Sequence, residues 1–179
     1  MTTVTKDPLI EEILAGWRDV IGKDFPGYRG HVYRVFNFCL ALQPATEEQR
    51  AKLAIAACFH DIGLWSAKTV DYIPPSMQQA DRYLQATGRG DWSGEITRMI
   101  EMHHKVRPLG DDSPALVEWF RKADLVDFSL GWITFGLPWS LVRQVQQAIP
   151  NQGFHWFLIK GAFHWFLRHP LSPPPFMRW

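Results

Sequence analysis

Two adjacent residues, His60 and Asp61, sit in the stretch Phe59-His60-Asp61-Ile62-Gly63 at the end of an apolar run. Neutral imidazole and ionised carboxylate both bind first-row divalent cations, so the pair is a candidate metal site. Neighbours on an ideal helix point about 100° apart, so these two converge only where a helix is ending. Gly63 is expected to permit this by taking a positive φ. Two ligands make a poor site, and His31 upstream and Asp124 downstream are the natural additions, each predicted on the inward face of its helix. An unpaired carboxylate buried at Asp124 would be costly, so it needs a metal, a base or a proton. Asp127, three residues on, is the rival ligand. His31 alone reads more readily as a hydrogen-bonded core histidine, and only the other members of the pattern reverse this.

Further candidates follow Ile96, Met99 and Ile100, which recur at helical spacing and put His103 on their face and His104 on the next. One of the two could as well be a surface residue. Lys105 and Arg107 come directly after, and Lys68 lies in the run beyond Gly63. Cations beside a metal suit an anionic substrate such as a phosphate ester. Lys105 and Arg107 also read as a solvated helix end near the negative pole of the dipole.

Taken in order, Tyr28-Arg29-Gly30-His31, His60-Asp61-Ile62-Gly63, His103-His104 and Lys122-Ala123-Asp124 resemble the HD-domain superfamily of metal-dependent phosphohydrolases. The resemblance runs from about residue 28 to residue 127. It implies an all-α bundle with a divalent metal held by His31, His60, Asp61 and Asp124. Asp124 is preferred to Asp127 because the superfamily pattern has Ala-Asp after a basic residue. The resemblance also implies hydrolysis of a small phosphorylated substrate by metal-activated water, with Asp61 and His104 as proton-transfer groups. His103, His104, Lys105, Arg107 and Lys68 would then bind substrate, since members with larger sites use extra histidines from this region. Zn, Fe, Mn, Mg, Co and Ni are not distinguished. One departure counts against nucleotidase activity: Leu64 stands where several nucleotide-directed members carry a Glu. Other branches of the superfamily imply alternatives, a dinuclear iron oxygenase or a zinc lyase or hydratase, and a ligand-binding protein retaining the site is a third. The oxygenase pattern wants another His between His-Asp and the late pair, and residues 62–102 contain none, which favours a mononuclear site.

The elements that must position these groups are helical throughout, because β-branched alternation is nowhere sustained. Asp7 and Pro8 announce a first helix running to Ile21. Pro26, Gly27 and Gly30 predict a loop over Asp24 to Gly30 that delivers His31 near a helix start. The run from Val32 to Leu42 is too apolar for a surface helix and ends before Pro44. Thr46 and Gln49 form a capping box for the helix leading into His60. Leu64 to Pro75 lacks a period and reads as a loop beside the metal, with Ser76 and Gln79 as a second capping box and Gly88 as the end of that helix. Ser93 or Asp91 is expected to cap the His103 helix, and Ser113-Pro114 to start the helix bearing Asp124.

The 179 residues suggest a single domain over 1–179, with a core at about 28–128 and a C-terminal helical extension at 129–179. A formal charge of +1 gives no global field for nucleic acid, which is not expected as a partner. Cys39 and Cys58 lie in apolar helical runs and no leader-like stretch precedes the first helix, which reads as a reducing, cytoplasmic protein. After Ser129 aromatics crowd the chain, and Phe154-His155-Trp156-Phe157-Leu158 is echoed by Phe163-His164-Trp165-Phe166-Leu167. This stretch is too short to span a bilayer, and could pack on the domain, form a homodimer interface or lie on a membrane. His155, His164 and His169 have no acidic neighbours and read as structural, and Pro170 to Pro175 reads as an extended tail.

Overall fold

The computed structural model describes residues 2–110 and 112–168, less the side chains of residues 157, 162, 164, 166 and 168. Among the described residues every regular element is helical. The proline-rich tail and His169 lie outside them, as does the side chain of His164.

Asp7 opens α1 (Pro8–Ala15), its carboxylate accepting from the amides of Leu9 and Ile10. The expected single helix to Ile21 is two pieces, α1 and α2 (Arg18–Ile21). Gly16 and Trp17 close tight turns onto Ile13 and Leu14 and offset the two axes.

The central element is α3 (Phe25–Leu42), in which thirteen of eighteen residues are buried, so it has no solvent face to speak of. It starts at Phe25, which corrects the loop expected over Asp24 to Gly30. Pro26 sits in the first turn, where its missing N–H costs nothing. Gly27 and Gly30 are helical, and what their missing side chains admit is another part of the chain. A Cβ on Gly27 would lie 3.1 Å from the Gln152 carbonyl oxygen, and one on Gly30 3.1 Å from that of Pro150. His31 therefore stands in the second turn of a buried helix.

The capping box of Thr46 and Gln49 opens α4 (Glu47–Phe59), in which Ala54, Ala56 and Ala57 are buried with Leu53, Ile55 and Phe59. The stretch expected as a loop is half helical. It contains α5 (Gly63–Ser66), and Pro74-Pro75 lie in the first turn of α6 (Ile73–Ala86). Ser76 is thus inside α6 and caps nothing at its own helix. Its hydroxyl accepts the Gly63 N–H at 2.9 Å. Gly63 does not use positive φ. It allows close approach: a Cβ there would lie 2.2 Å from the Tyr72 carbonyl oxygen.

Beyond Gly88, at φ +70°, a short 3₁₀ turn at Gly90–Trp92 leads into α7 (Ser93–Met102), with no side-chain cap from Asp91 or Ser93. Pro114 directly precedes α8 (Ala115–Phe128), so neither is Ser113 that helix's cap. Then come α9 (Trp139–Ala148) and α10 (Phe154–Arg168). The α3 helix packs most extensively on α8 and also meets α4 and α9, while α7 bridges α6, α4 and α8. Both cysteines are free and buried. No described helix is long and apolar enough to cross a membrane.

Candidate metal centre

Four elements converge on one buried point. His31 comes from α3, His60 and Asp61 from the end of α4, His103 from the end of α7, and Asp124 from α8. All five are at most 3% exposed. Tyr28 fixes the α3–α4 spacing, its hydroxyl donating 2.9 Å to the Cys58 carbonyl.

Each of the three buried imidazoles is oriented through Nδ1. His60 Nδ1–H donates to the Ala57 carbonyl at 2.9 Å, and His103 Nδ1–H to that of Ile100 at 2.6 Å. His31 Nδ1–H donates to Asp127 Oδ2 at 2.7 Å. In a neutral ring with Nδ1 protonated the lone pair is at Nε2, and the three Nε2 atoms face inward; burial lowers His103, but the Asp61 and Asp124 carboxylates raise it above its ordinary value.

His31 Nε2 and His60 Nε2 lie 2.8 Å apart. Two lone pairs at that distance repel unless a proton or a cation lies between them. Burial lowers His60 to about 3, so it holds no second proton, at Nε2, near neutrality. Asp61 Oδ2 is 3.6 Å from His31 Nε2 and 3.4 Å from His60 Nε2, and Asp124 Oδ1 is 3.5 and 3.7 Å from the same atoms. Ligands at about 2.1 Å from a cation would be spaced roughly 3.0 Å apart on an octahedron and roughly 3.4 Å on a tetrahedron. The two imidazole nitrogens and Asp61 Oδ2 thus have the chemistry and spacing of a divalent-cation site, with Asp124 Oδ1 beside both nitrogens.

Asp61 also faces a second group. Its Oδ1 lies 3.5 Å from His103 Nε2, and both atoms are buried without a hydrogen-bond partner. Asp61, His103 and His104 can offer donor atoms within 4.8 Å of one another, as can His31, His60 and Asp61. Asp61 is common to both sets, one oxygen toward each.

The charges fit this arrangement. Burial would raise Asp61, but the imidazoles of His60, His103 and His31 hold it well below the usual carboxylate range. Burial raises Asp124 to about 6, the value of a carboxylate lacking a strong cationic partner. Burial also works against Asp127, yet Arg34 and His31 hold it low. Arg34 grips Asp127 through Nε at 2.6 Å and Nη2 at 3.0 Å. The rival carboxylate Asp127 is thereby spent on Arg34 and on orienting His31, whereas Asp124 turns to the cluster.

His104 is half-buried, and its ring centroid lies 3.9 Å from that of His103. The Tyr72 hydroxyl is hydrogen-bonded to His104 Nε2. Burial, with His103 beside it, holds His104 well below its ordinary value and so neutral. Lys105 is half-buried, and Lys68 and Arg107 are exposed outside the cluster. His155 donates through Nε2 to the Asp127 carbonyl at 2.8 Å, a structural position.

Several positioning residues escape a reading of sequence alone. Tyr72 falls in a stretch without periodicity, and Phe154, whose ring stacks on His31 at 4.3 Å, falls in the aromatic extension. Arg34 left a signal, a lone cation three residues after His31 in an apolar run. So did Arg121, three residues after Glu118. Fully buried, Arg121 holds Glu118 through two nitrogens and donates to the Lys105 carbonyl at 2.8 Å, tying the turn after His104 to α8. Comparison with protein-family models, with curated proteins and with solved structures returns no match for this chain.

Proposed function

We propose that the chain is a metal-dependent hydrolase of the HD-domain type, acting on a small phosphorylated substrate. The supporting observation is the face-to-face pair of His31 Nε2 and His60 Nε2, 2.8 Å apart with both Nδ1 atoms already donating, and with Asp61 and Asp124 oxygens beside them. The ordered motifs bring the phosphohydrolase class by resemblance. A divalent cation held by these four residues supplies Lewis acidity and makes water a better nucleophile near neutral pH.

The chain's own residues supply the rest. Asp127 and the Ala57 carbonyl hold the ligand tautomers of His31 and His60. Asp61, held ionised by the imidazoles around it, accepts a hydrogen bond from the attacking water and orients it. Neutral His104, hydrogen-bonded to the Tyr72 hydroxyl, is placed to accept a proton on the substrate side. Lys105, Arg107 and Lys68 attract the anionic substrate from the exposed side.

A second reading rests on the unpartnered Asp61 Oδ1 and His103 Nε2, which with His104 could hold a second cation. It favours the dinuclear branches, an oxygenase among them. Metal analysis of the purified chain, followed by phosphate release from p-nitrophenyl phosphate and a panel of sugar phosphates with and without oxygen, tests both. One metal and oxygen-independent phosphate release is the expected result. Two irons and oxygen consumption would replace it with the second reading, and a metal-free, inactive chain would remove both.

A further inference from the structure

The back of His31 is closed by a segment far along the chain. The Phe154 ring lies almost parallel to the His31 ring, 20° off, with centroids 4.3 Å apart, and is 2% exposed. Arg34, which grips Asp127 behind His31, also donates through Nη1 to the carbonyls of Ile149 at 3.4 Å and Pro150 at 3.2 Å. His155 donates to the Asp127 carbonyl at 2.8 Å, and Asn151 in turn accepts from the His155 amide at 3.2 Å and donates to its ring. Gly27 and Gly30 leave α3 bare where this segment lies, since a Cβ on either would press within 3.1 Å of its carbonyls. Every member of the His31–Asp127–Arg34 set therefore has at least one contact with residues 149–155.

From this we infer that residues 149–155 form a latch that positions His31, so that seating of the latch and cation binding at His31, His60, Asp61 and Asp124 strengthen each other. The inference rests on the metal reading above. Outer partners of a metal-ligating histidine fix its ring plane and tautomer, and their loss typically weakens metal affinity about 10–100-fold. Coupling between two binding events is reciprocal, so the cation must also hold the latch down. Phe154, Arg34 and His155 are positioning residues here, acting on the ligand and not on substrate.

The test uses Co²⁺ alone as probe on the full chain. Affinity is measured by chelator competition, alongside the visible absorption of the bound ion, for wild type, Phe154→Ala, Gly30→Ala and Trp156→Ala. Gly30→Ala improves the helix propensity of α3 while pushing on the Pro150 carbonyl, so it perturbs the latch without weakening the helix. Trp156 is 60% exposed two residues from Phe154 and serves as control. Expected are a roughly 10–100-fold loss for Phe154→Ala, a smaller loss with an altered spectrum for Gly30→Ala and no change for Trp156→Ala. Hydrogen exchange on the wild type needs no variant: amides of residues 152–156 should slow when Co²⁺ is added. Wild-type uptake with unchanged affinity in Phe154→Ala, or with no change in exchange at 152–156, overturns the latch alone. A wild type that takes up no Co²⁺ overturns the metal reading and the latch with it.

Discussion

At the scale of single residues, Asp61 carries the largest share of the centre, because its two oxygens face two donor sets. Asp61→Ala is expected to abolish metal retention through gel filtration while leaving the helical circular dichroism near wild type, since the core is aliphatic and aromatic. The affinity loss should exceed the roughly 10–100-fold typical of a lost outer partner. A variant still carrying stoichiometric metal would refute the ligand set. Arg34 makes the opposite case, of stability over affinity. It is 1% exposed and its guanidinium neutralises an equally buried Asp127. Arg34→Met strands that carboxylate and should cost about 3–5 kcal/mol in urea unfolding. A cost within error of zero would mean that His31 alone can satisfy Asp127. The gathered histidines and aspartates were legible because each carries chemistry by type, at spacings a short motif can hold. Arg34 and Tyr72 were harder to read, because their roles depend on partners supplied by distant helices.

At the scale of elements, the junction of α5 and α6 sets Tyr72 beside His104. Gly63→Ala places a methyl 2.2 Å from the Tyr72 carbonyl oxygen and 2.9 Å from the Ser76 hydroxyl, so the two helices must part. Overpacking of this kind costs about 1–3 kcal/mol. Thermal melts should show that loss, and a wild-type melting temperature would mean that the junction yields freely. The turn after His104 is held by Arg121 and Glu118 instead. Burial would raise Glu118, but hydrogen bonds from Arg121 and the Leu109 amide bring it below its ordinary 4.5. A carboxylate depressed on folding gives stability that is complete above that ordinary value and drains away as pH falls through the lower folded one. Wild type should therefore lose stability steeply below about pH 4.5, and Glu118→Gln, weaker at neutral pH, should show a shallower acid limb. Parallel acid limbs would refute this. Element starts were legible where the cap is local, as at Asp7 and at Thr46 with Gln49. They were misread at Gly27, Gly30 and Ser76, whose small or polar side chains answer to segments packed against them and not to the turn they sit in.

At the scale of the whole molecule, the last forty residues described face two ways. Phe154 is buried on His31 and Leu158 packs against the core, while Trp156, Ile159, Phe163 and Leu167 are each more than half exposed. Their spacing of three and four residues puts them along one side of α10. Local periodicity made the helix and its apolar character legible. Which ring goes inward depends on α3, whose glycines receive it. A chain ending at Pro150 removes the Phe154 ring, and emptying such a site costs about 3–5 kcal/mol even for a single Phe→Ala change. It also uncovers His31 and frees the Asp127 carbonyl from His155. The truncated chain should melt at lower temperature, and its Co²⁺ affinity should fall with its stability. Saturating Co²⁺ should recover only part of the loss, because the cation replaces none of the buried ring. Since the truncation also deletes the exposed row on α10, it should run on a sizing column at a mass that no longer depends on concentration if that row joins two copies. A truncation as stable as the full chain, with the same Co²⁺ affinity, would place the whole extension outside the working structure.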